Sequence, residues 1–205
     1  MNARESGFTL WEMMIALLVA GIVLGIGVPN FMEFQRSNAM TAAANDFVTG
    51  VLLARGEAVK RQAPVTLCAS ADPLANPPVC GDFDAADGAY VVFVDDDADA
   101  VVDAGDTVLL RRQGPGGTLQ AWGDSGYIVY GANGFPREAA GHPDDPATVV
   151  LLCDDRGNVA SLGGLSSARA VRIEPTGRSV VRQSIADVAD AVSDLATAGV
   201  TADCP

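Results

Sequence analysis

Residues 8–28 read FTLWEMMIALLVAGIVLGIGV, an apolar run from Phe8 to Val28 with a single charge, Glu12. At the rise of an α-helix this run spans about 30 Å, the thickness of a bilayer's hydrocarbon core. Only MNARESG precedes it, ending in Gly7. No cleavage site of the ordinary secretory kind follows the apolar residues, so the span is expected to stay in the mature chain. A carboxylate inside a bilayer costs on the order of 2.5–3.5 kcal/mol, so Glu12 either reaches the headgroups or has a partner and a purpose.

Working outward, Gly21 and Gly25 form a GxxxG spacing that lets helices approach closely. Pro29 removes a helix hydrogen bond where the span ends, and predicts a kink there. Phe47, Val51, Ala54 and Ala58 recur at helical spacing, which carries the helix to about Arg61, with Pro64 as its stop. Beyond Val65 the period changes. Short apolar runs alternate with Gly, Asp and Pro turns: VTLC at 65–68, AYVVFV at 89–94, TVLLRR at 107–112, YIVY at 127–130, TVVLLC at 148–153 and AVRIE at 170–174. Six or seven short strands predict an antiparallel sheet assembly packed on the helix, an α+β fold. The expected organisation is a short polar segment at 1–7, a transmembrane helix at 8–28, its amphipathic continuation at 29–62, and a β-rich head at 63–205.

Composition narrows the function. The 205 residues carry a formal charge of −13 and a pI near 4.2, which suits a soluble acidic head. It argues against DNA as a partner, because phosphate binding needs clustered Lys and Arg. The four cysteines form no CxxC pair of the zinc or thioredoxin type.

The string Gly7-Phe8-Thr9-Leu10-Trp11-Glu12 resembles the class III signal of type IV pilins and type II secretion pseudopilins. That resemblance implies a prepilin peptidase cutting between Gly7 and Phe8 and methylating the Phe8 amine. Trp11 is bulkier than the aliphatic residue common there, and Pro29 matches a proline of many pilins. The new cationic amine of one subunit could then face Glu12 of a staggered neighbour. Desolvation offsets much of that attraction, so the pair would set register more than it adds stability.

The head is similar to the FimT/FimU/GspH minor pilin group in Cys68, Tyr90 to Val94, the Asp-rich turn from Asp95 to Asp99, and Gly105-Asp106 through Leu110-Arg111. Cys153, Arg172-Ile173 and Pro175-Thr176-Gly177-Arg178 continue the likeness, which ends near Arg182. It implies a non-enzymatic subunit of the bacterial inner membrane, single-pass with its head in the periplasm, later part of a pilus or pseudopilus. Expected partners are other pilins or pseudopilins, the prepilin peptidase, the inner-membrane assembly platform and membrane lipid. The expected role is a minor pilin that primes or caps a type IV pilus. The alternatives are a GspH-like pseudopilin of a type II secretion system and, in another class, a DNA-binding adhesin.

Four cysteines allow three pairings. Cys68 with Cys80 would close a short Pro-rich loop, and Cys153 with Cys204 would pin the tail. Each is expected to contribute about 2–4 kcal/mol.

Three further signals have plainer readings. Gly123-Asp124-Ser125-Gly126 copies a serine protease tetrapeptide, but the one histidine is His142 in a Gly-His-Pro loop, so turn residues are expected. Asp95, Asp97, Asp99, Asp103 and Asp106 fall at positions of a calcium-loop template, with Ala100 in place of the turn glycine and Asp106 in place of the bidentate glutamate. The expectation is no cofactor beyond weak calcium, with Ala100 resisting a positive φ. Arg169, Arg172, Arg178 and Arg182 recur late in the chain; Gly177-Arg178-Ser179-Val180 keeps half of a basic element of DNA-binding pilins.

Overall fold

The computed structural model describes residues 7, 9–84, 86–161 and 163–204. Helix α1, Leu10–Arg61, comes first. Among the described residues nine strands follow: Val65–Ala69 (β1), Tyr90–Val94 (β2), Thr107–Arg112 (β3), Gln120–Gly123 (β4), Tyr127–Tyr130 (β5), Pro136–Arg137 (β6), Val149–Cys153 (β7), Arg169–Ile173 (β8) and Ser179–Arg182 (β9). A second helix, Ile185–Thr197 (α2), closes the chain. Contacts divide the chain into a unit ending at Asn38 and a larger unit from Ala39 onward, with α1 contributing to both.

Helix α1 has identifiable ends. Lys60 and Arg61 sit in its last turn, where cations favour the dipole, and both pair with Glu57, at 3.0 and 2.6 Å. Gln62 turns out of the helix at φ 58, and Pro64 prevents its return. At the proline expected to kink the span, the helix runs on through Pro29. Pro29 has no N–H for the Gly25 carbonyl, and Asn30 Nδ2 donates instead to the next one, Ile26, at 2.8 Å.

Within the larger unit α1 buries Met40, Ala44, Phe47, Gly50, Val51, Ala54 and Ala58, spaced by three and four residues. Each large member contributes about 1.5–3 kcal/mol by leaving water. They pack on one face of a five-stranded antiparallel sheet, order β3-β2-β1-β5-β6, through Leu67, Val92, Ile128 and Tyr130. The register explains which residues these are. Leu67 stands opposite both Val92 and Ile128, so all three point the same way. Their neighbours Cys68, Val91, Phe93, Tyr127 and Val129 point to the other face, where Ala98, Ala100, Val102 and Ala139 cover them.

The antiparallel assembly on the helix has nine strands among the described residues rather than six or seven, and they form two sheets. A second antiparallel sheet, order β4-β7-β8-β9, sends Val150, Val171 and Ile173 into the helix-facing core. Its opposite face, with Trp122, Val149, Leu151 and Ala170, is covered by Val188, Ala191 and Leu195 of α2. Because both faces of both sheets are covered, β1, β2 and β7 are buried at every residue, and β2 and β7 read as unbroken apolar runs rather than alternation.

One close approach fixes α1 on the first sheet. A Cβ at Gly50 would lie 2.5 Å from Cε2 of the Tyr90 ring. Phe47 meets that ring edge-on with centroids 5.7 Å apart, and the phenol donates to the Asp46 carbonyl at 2.9 Å. Burial and the adjacent Asp46 carboxylate push the Tyr90 phenol well above its ordinary pKa.

Candidate assembly segment and the features of the head

The N-terminal segment is built by its own residues. Thr9 precedes α1 and Glu12 follows it by three. The Glu12 Oε2 oxygen accepts from the Thr9 backbone N–H at 2.9 Å and from its hydroxyl at 2.8 Å, while the Glu12 N–H donates to Thr9 Oγ1 at 3.3 Å. This is a capping box, in which a carboxylate and a hydroxyl satisfy backbone donors the helix start leaves open. The sequence TLWE carries the T-x-x-E spacing of that box, a signal that was readable beside the membrane argument. Glu12 therefore has a partner in its own chain, Thr9. Gly7 is exposed, and Phe8, whose amine is expected to be released and methylated, lies outside the described residues.

From Leu10 to Phe34 the helix exposes large apolar side chains, Leu10 at 78%, Leu17 at 67% and Ile26 at 64% among them. It is long and apolar enough to cross a membrane. A Cβ at Gly21 or Gly25 meets no atom within 4 Å, so close approach to that helix face is open.

In the acidic loop the carboxylates cap backbone. Asp95 is buried; it accepts from Thr66 Oγ1 at 2.5 Å, Asp99 N at 3.1 Å and Ala100 N at 3.0 Å. Desolvation still raises its pKa above the ordinary aspartate value, with those three hydrogen bonds pulling the other way. Asp99 accepts from Val101 N, Asp103 from Gly105 N and Asp106 from Asp103 N. Oxygens of Asp95, Asp97 and Asp99 lie within 4.8 Å of one another, an arrangement that could hold a metal ion; Asp103 and Asp106 stand outside that group. Ala100 does not resist a positive φ. It adopts 62°, and Ala98 adopts 59°, because the bonds from Asp95 hold the turn.

Disulfides join Cys68 to Cys80 and Cys153 to Cys204, with Cα separations of 5.5 and 5.9 Å. The segment before Cys204 is more than a loose tail. Ser184 caps α2 by accepting from Asp187 N at 3.0 Å, and Val188, Ala191 and Leu195 are fully buried.

The Gly-Asp-Ser-Gly string joins β4 to β5. Asp124 accepts from Thr148 N at 2.9 Å and Val149 N at 3.1 Å, which clamps the start of β7. Ser125 Oγ has no hydrogen-bond partner, so His142 does not act on it. Of the four arginines, Arg169 is buried and donates to the Ser166 and Ala168 carbonyls. Arg172 pairs with Asp194 at 2.7 Å. Arg178 and Arg182 are exposed. The Pro175-Thr176-Gly177-Arg178 turn is tied to α1 by Arg55, which donates to the Thr176 carbonyl at 3.0 Å, a contact with no local sequence signal.

A capped apolar helix whose later turns enter the core of a two-sheet, disulfide-bearing head defines a pilin-type structural subunit rather than an enzyme. The family described as "Type II transport protein GspH" matches residues 43–177, and the "Prokaryotic N-terminal methylation motif" matches residues 2–28. The chain belongs to the GspH family of pilin-like proteins. It is also 47% identical over 45 residues to "Type IV major pilin protein PilA" of Myxococcus xanthus (strain DK1622), a stretch covering 22% of this chain and 20% of that protein. The chain thus spans about a fifth of that curated relative.

Among solved structures it is similar to the type IV minor pilin FimU of Pseudomonas aeruginosa (strain PAO1) in two crystal forms. In space group P21 the TM-score is 0.47 at 19% identity, covering 73% of this chain and 92% of that one. In P65 the TM-score is 0.41 at 18% identity, covering 69% and 91%.

Proposed function

We propose that this chain is a minor pilin of the FimT/FimU kind, held in the bacterial inner membrane with its head in the periplasm. The prepilin peptidase cuts between Gly7 and Phe8, and the chain then assembles with other pilins through α1 to prime or cap a type IV pilus. The observation that carries this reading is the division of labour along one helix. Its capped N-terminal part exposes large apolar side chains from Leu10 to Phe34, whereas from Met40 the same helix is core to the head. In lipid the exposed part associates by packing and small-residue contacts rather than by leaving water.

A second reading, a pseudopilin of a type II secretion system, is favoured by the type II transport family that matches residues 43–177. The adhesin reading has less behind it, since Arg169 is buried and Arg172 is paired. Deleting the gene and scoring surface pili, secreted enzymes and transformation together separates the three. Lost pili with normal secretion supports the first reading. Lost secretion with normal pili favours the second, and lost transformation alone favours the third.

A further inference from the structure

Within the larger unit the edge strands β3 and β4 belong to different sheets and do not pair with each other. Arg112 ends β3, Ala121 lies in β4, and between these strands and α1 opens a cavity of about 420 Å³. Small residues leave the space: Ala39, Ala42 and Ala43 on the helix, Gly88 before β2, and Ala121. The floor is core, with Phe47, Phe83, Tyr90, Val150 and Leu152 all buried. An apolar cavity of about 150 Å³ is enough to hold benzene, so this one has room for a two-ring system. Apolar surface open to water at that depth favours an apolar guest.

The chemistry of the guest follows from what surrounds the space. The rings of Phe83 and Tyr90 each meet Phe47 edge-on, with centroids 5.6 and 5.7 Å away, and a further ring extends such a cluster in the same geometry. One cation stands at the rim. Arg112 Nη2 donates to Asp46 Oδ1 at 2.5 Å, which holds the guanidinium in place, yet the Arg112 side chain is 45% exposed. A guanidinium held this way attracts the face of an aromatic ring, an attraction an aliphatic guest lacks. Asp46 Oδ2 lies 3.3 Å from the Tyr90 hydroxyl, a long contact that leaves acceptor capacity for an N–H or O–H of the guest.

The mouth decides how the guest arrives. Ala39, Ala42, Gln113 and Pro115 on the rim are exposed. The loop continues with Gly116 and Gly117, where an added Cβ meets nothing within 4 Å, so another backbone can come close. An open mouth of this kind buries a ring without enclosing a free ligand, and aromatic anchors seated in such pockets carry much of the energy of protein interfaces.

We propose that this cavity receives an aromatic side chain with a polar edge, tryptophan or tyrosine, presented by a partner protein chain. The ring packs against Phe47 and Phe83 under the Arg112 guanidinium, and its N–H or O–H donates to Asp46. The inference does not depend on which filament the subunit joins.

Saturation-transfer NMR on the full chain in lipid nanodiscs, with the peptide Gly-Ser-Trp-Ser-Gly as probe and the signal from empty nanodiscs subtracted, tests it. The Trp peptide should bind saturably, with the strongest transfer to its ring protons, and Gly-Ser-Leu-Ser-Gly should bind about tenfold more weakly. Ala42→Leu and, separately, Ala39→Leu place a side chain in the mouth from exposed helix positions, so the melting temperature should be kept. Each should weaken the Trp peptide by about tenfold or more. Arg112→Gln should remove most of the advantage of the Trp peptide over the Leu peptide, and Val159→Ser, exposed elsewhere in the head, should change nothing. Free indole should bind more weakly than the Trp peptide; tighter binding of indole would assign the cavity to a free aromatic compound and overturn the partner-chain reading. The proposal is also overturned if the Trp peptide fails to saturate, if the Leu peptide matches it, or if neither leucine variant weakens it.

Discussion

Two glycines of α1 should respond to the same substitution with opposite signs. Gly56 is exposed, and an added Cβ meets nothing within 4 Å. Gly56→Ala should therefore stabilise the protein by about 0.5–1 kcal/mol, the helix-propensity difference between Gly and Ala. At Gly50 the same Cβ would lie 2.5 Å from Cε2 and 2.7 Å from Cζ and Oη of Tyr90. The ring cannot yield easily, because Phe47 packs on it and its hydroxyl is bonded to the Asp46 carbonyl. Overpacking of this kind costs about 1–3 kcal/mol, which exceeds the propensity gain. Gly50→Ala should then fall about 1–3 kcal/mol below Gly56→Ala in urea unfolding followed by circular dichroism. Adding Tyr90→Ala should remove most of that difference, since the clash partner is gone. Equal stabilisation by both single variants would refute the packing described for α1.

The remaining predictions concern cross-links, titration and the helix start. By loop-closure entropy, removing Cys153–Cys204, which closes 51 residues, should cost about 4 kcal/mol, and removing Cys68–Cys80, which closes 12, about 3 kcal/mol; paired Cys→Ser variants and urea melts measure this. Asp95 should make the head less stable as pH rises. Its folded pKa is raised, so between the ordinary aspartate value and that raised value the native state binds more protons than the unfolded state, and stability falls with pH. Melts across that window in chelator should show Asp95→Asn flattening this part of the profile, and an unchanged profile would contradict it. At the helix start, Glu12→Gln keeps the oxygen that caps Thr9 but loses the charge, whereas Glu12→Ala loses both. Both should insert in the membrane, and both should enter filaments poorly if charge pairing governs assembly; normal entry of Glu12→Gln alone would assign Glu12 to capping.

The N-terminal helix was legible because a bilayer-length apolar run with one carboxylate has few physical explanations. The strands were legible too, but their division into two sheets was not. Runs such as YVVFV and VVLLC are apolar on both faces, so no alternation tells which face meets which layer. Strand β4 hides in QAWG and β9 in SVVR, four residues each. Helix α2 was missed although it carries the S-x-x-D cap and the Val188, Ala191, Leu195 spacing, because alanine and aspartate dilute its apolar stripe. The T-x-x-E box at Thr9 is written in the sequence, but a membrane span gives Glu12 a competing explanation. In the acidic loop, template spacing counted carboxylates but could not show that backbone donors already occupy both oxygens of Asp95.

The central claim is that this is a processed subunit that assembles through α1. Intact-mass measurement of the chain recovered from sheared filaments and membranes, in cells with active prepilin peptidase, tests it most directly. The account predicts a mature chain that begins at Phe8 and carries one methyl group on its amine. A chain that still begins at Met1 in both fractions would contradict it.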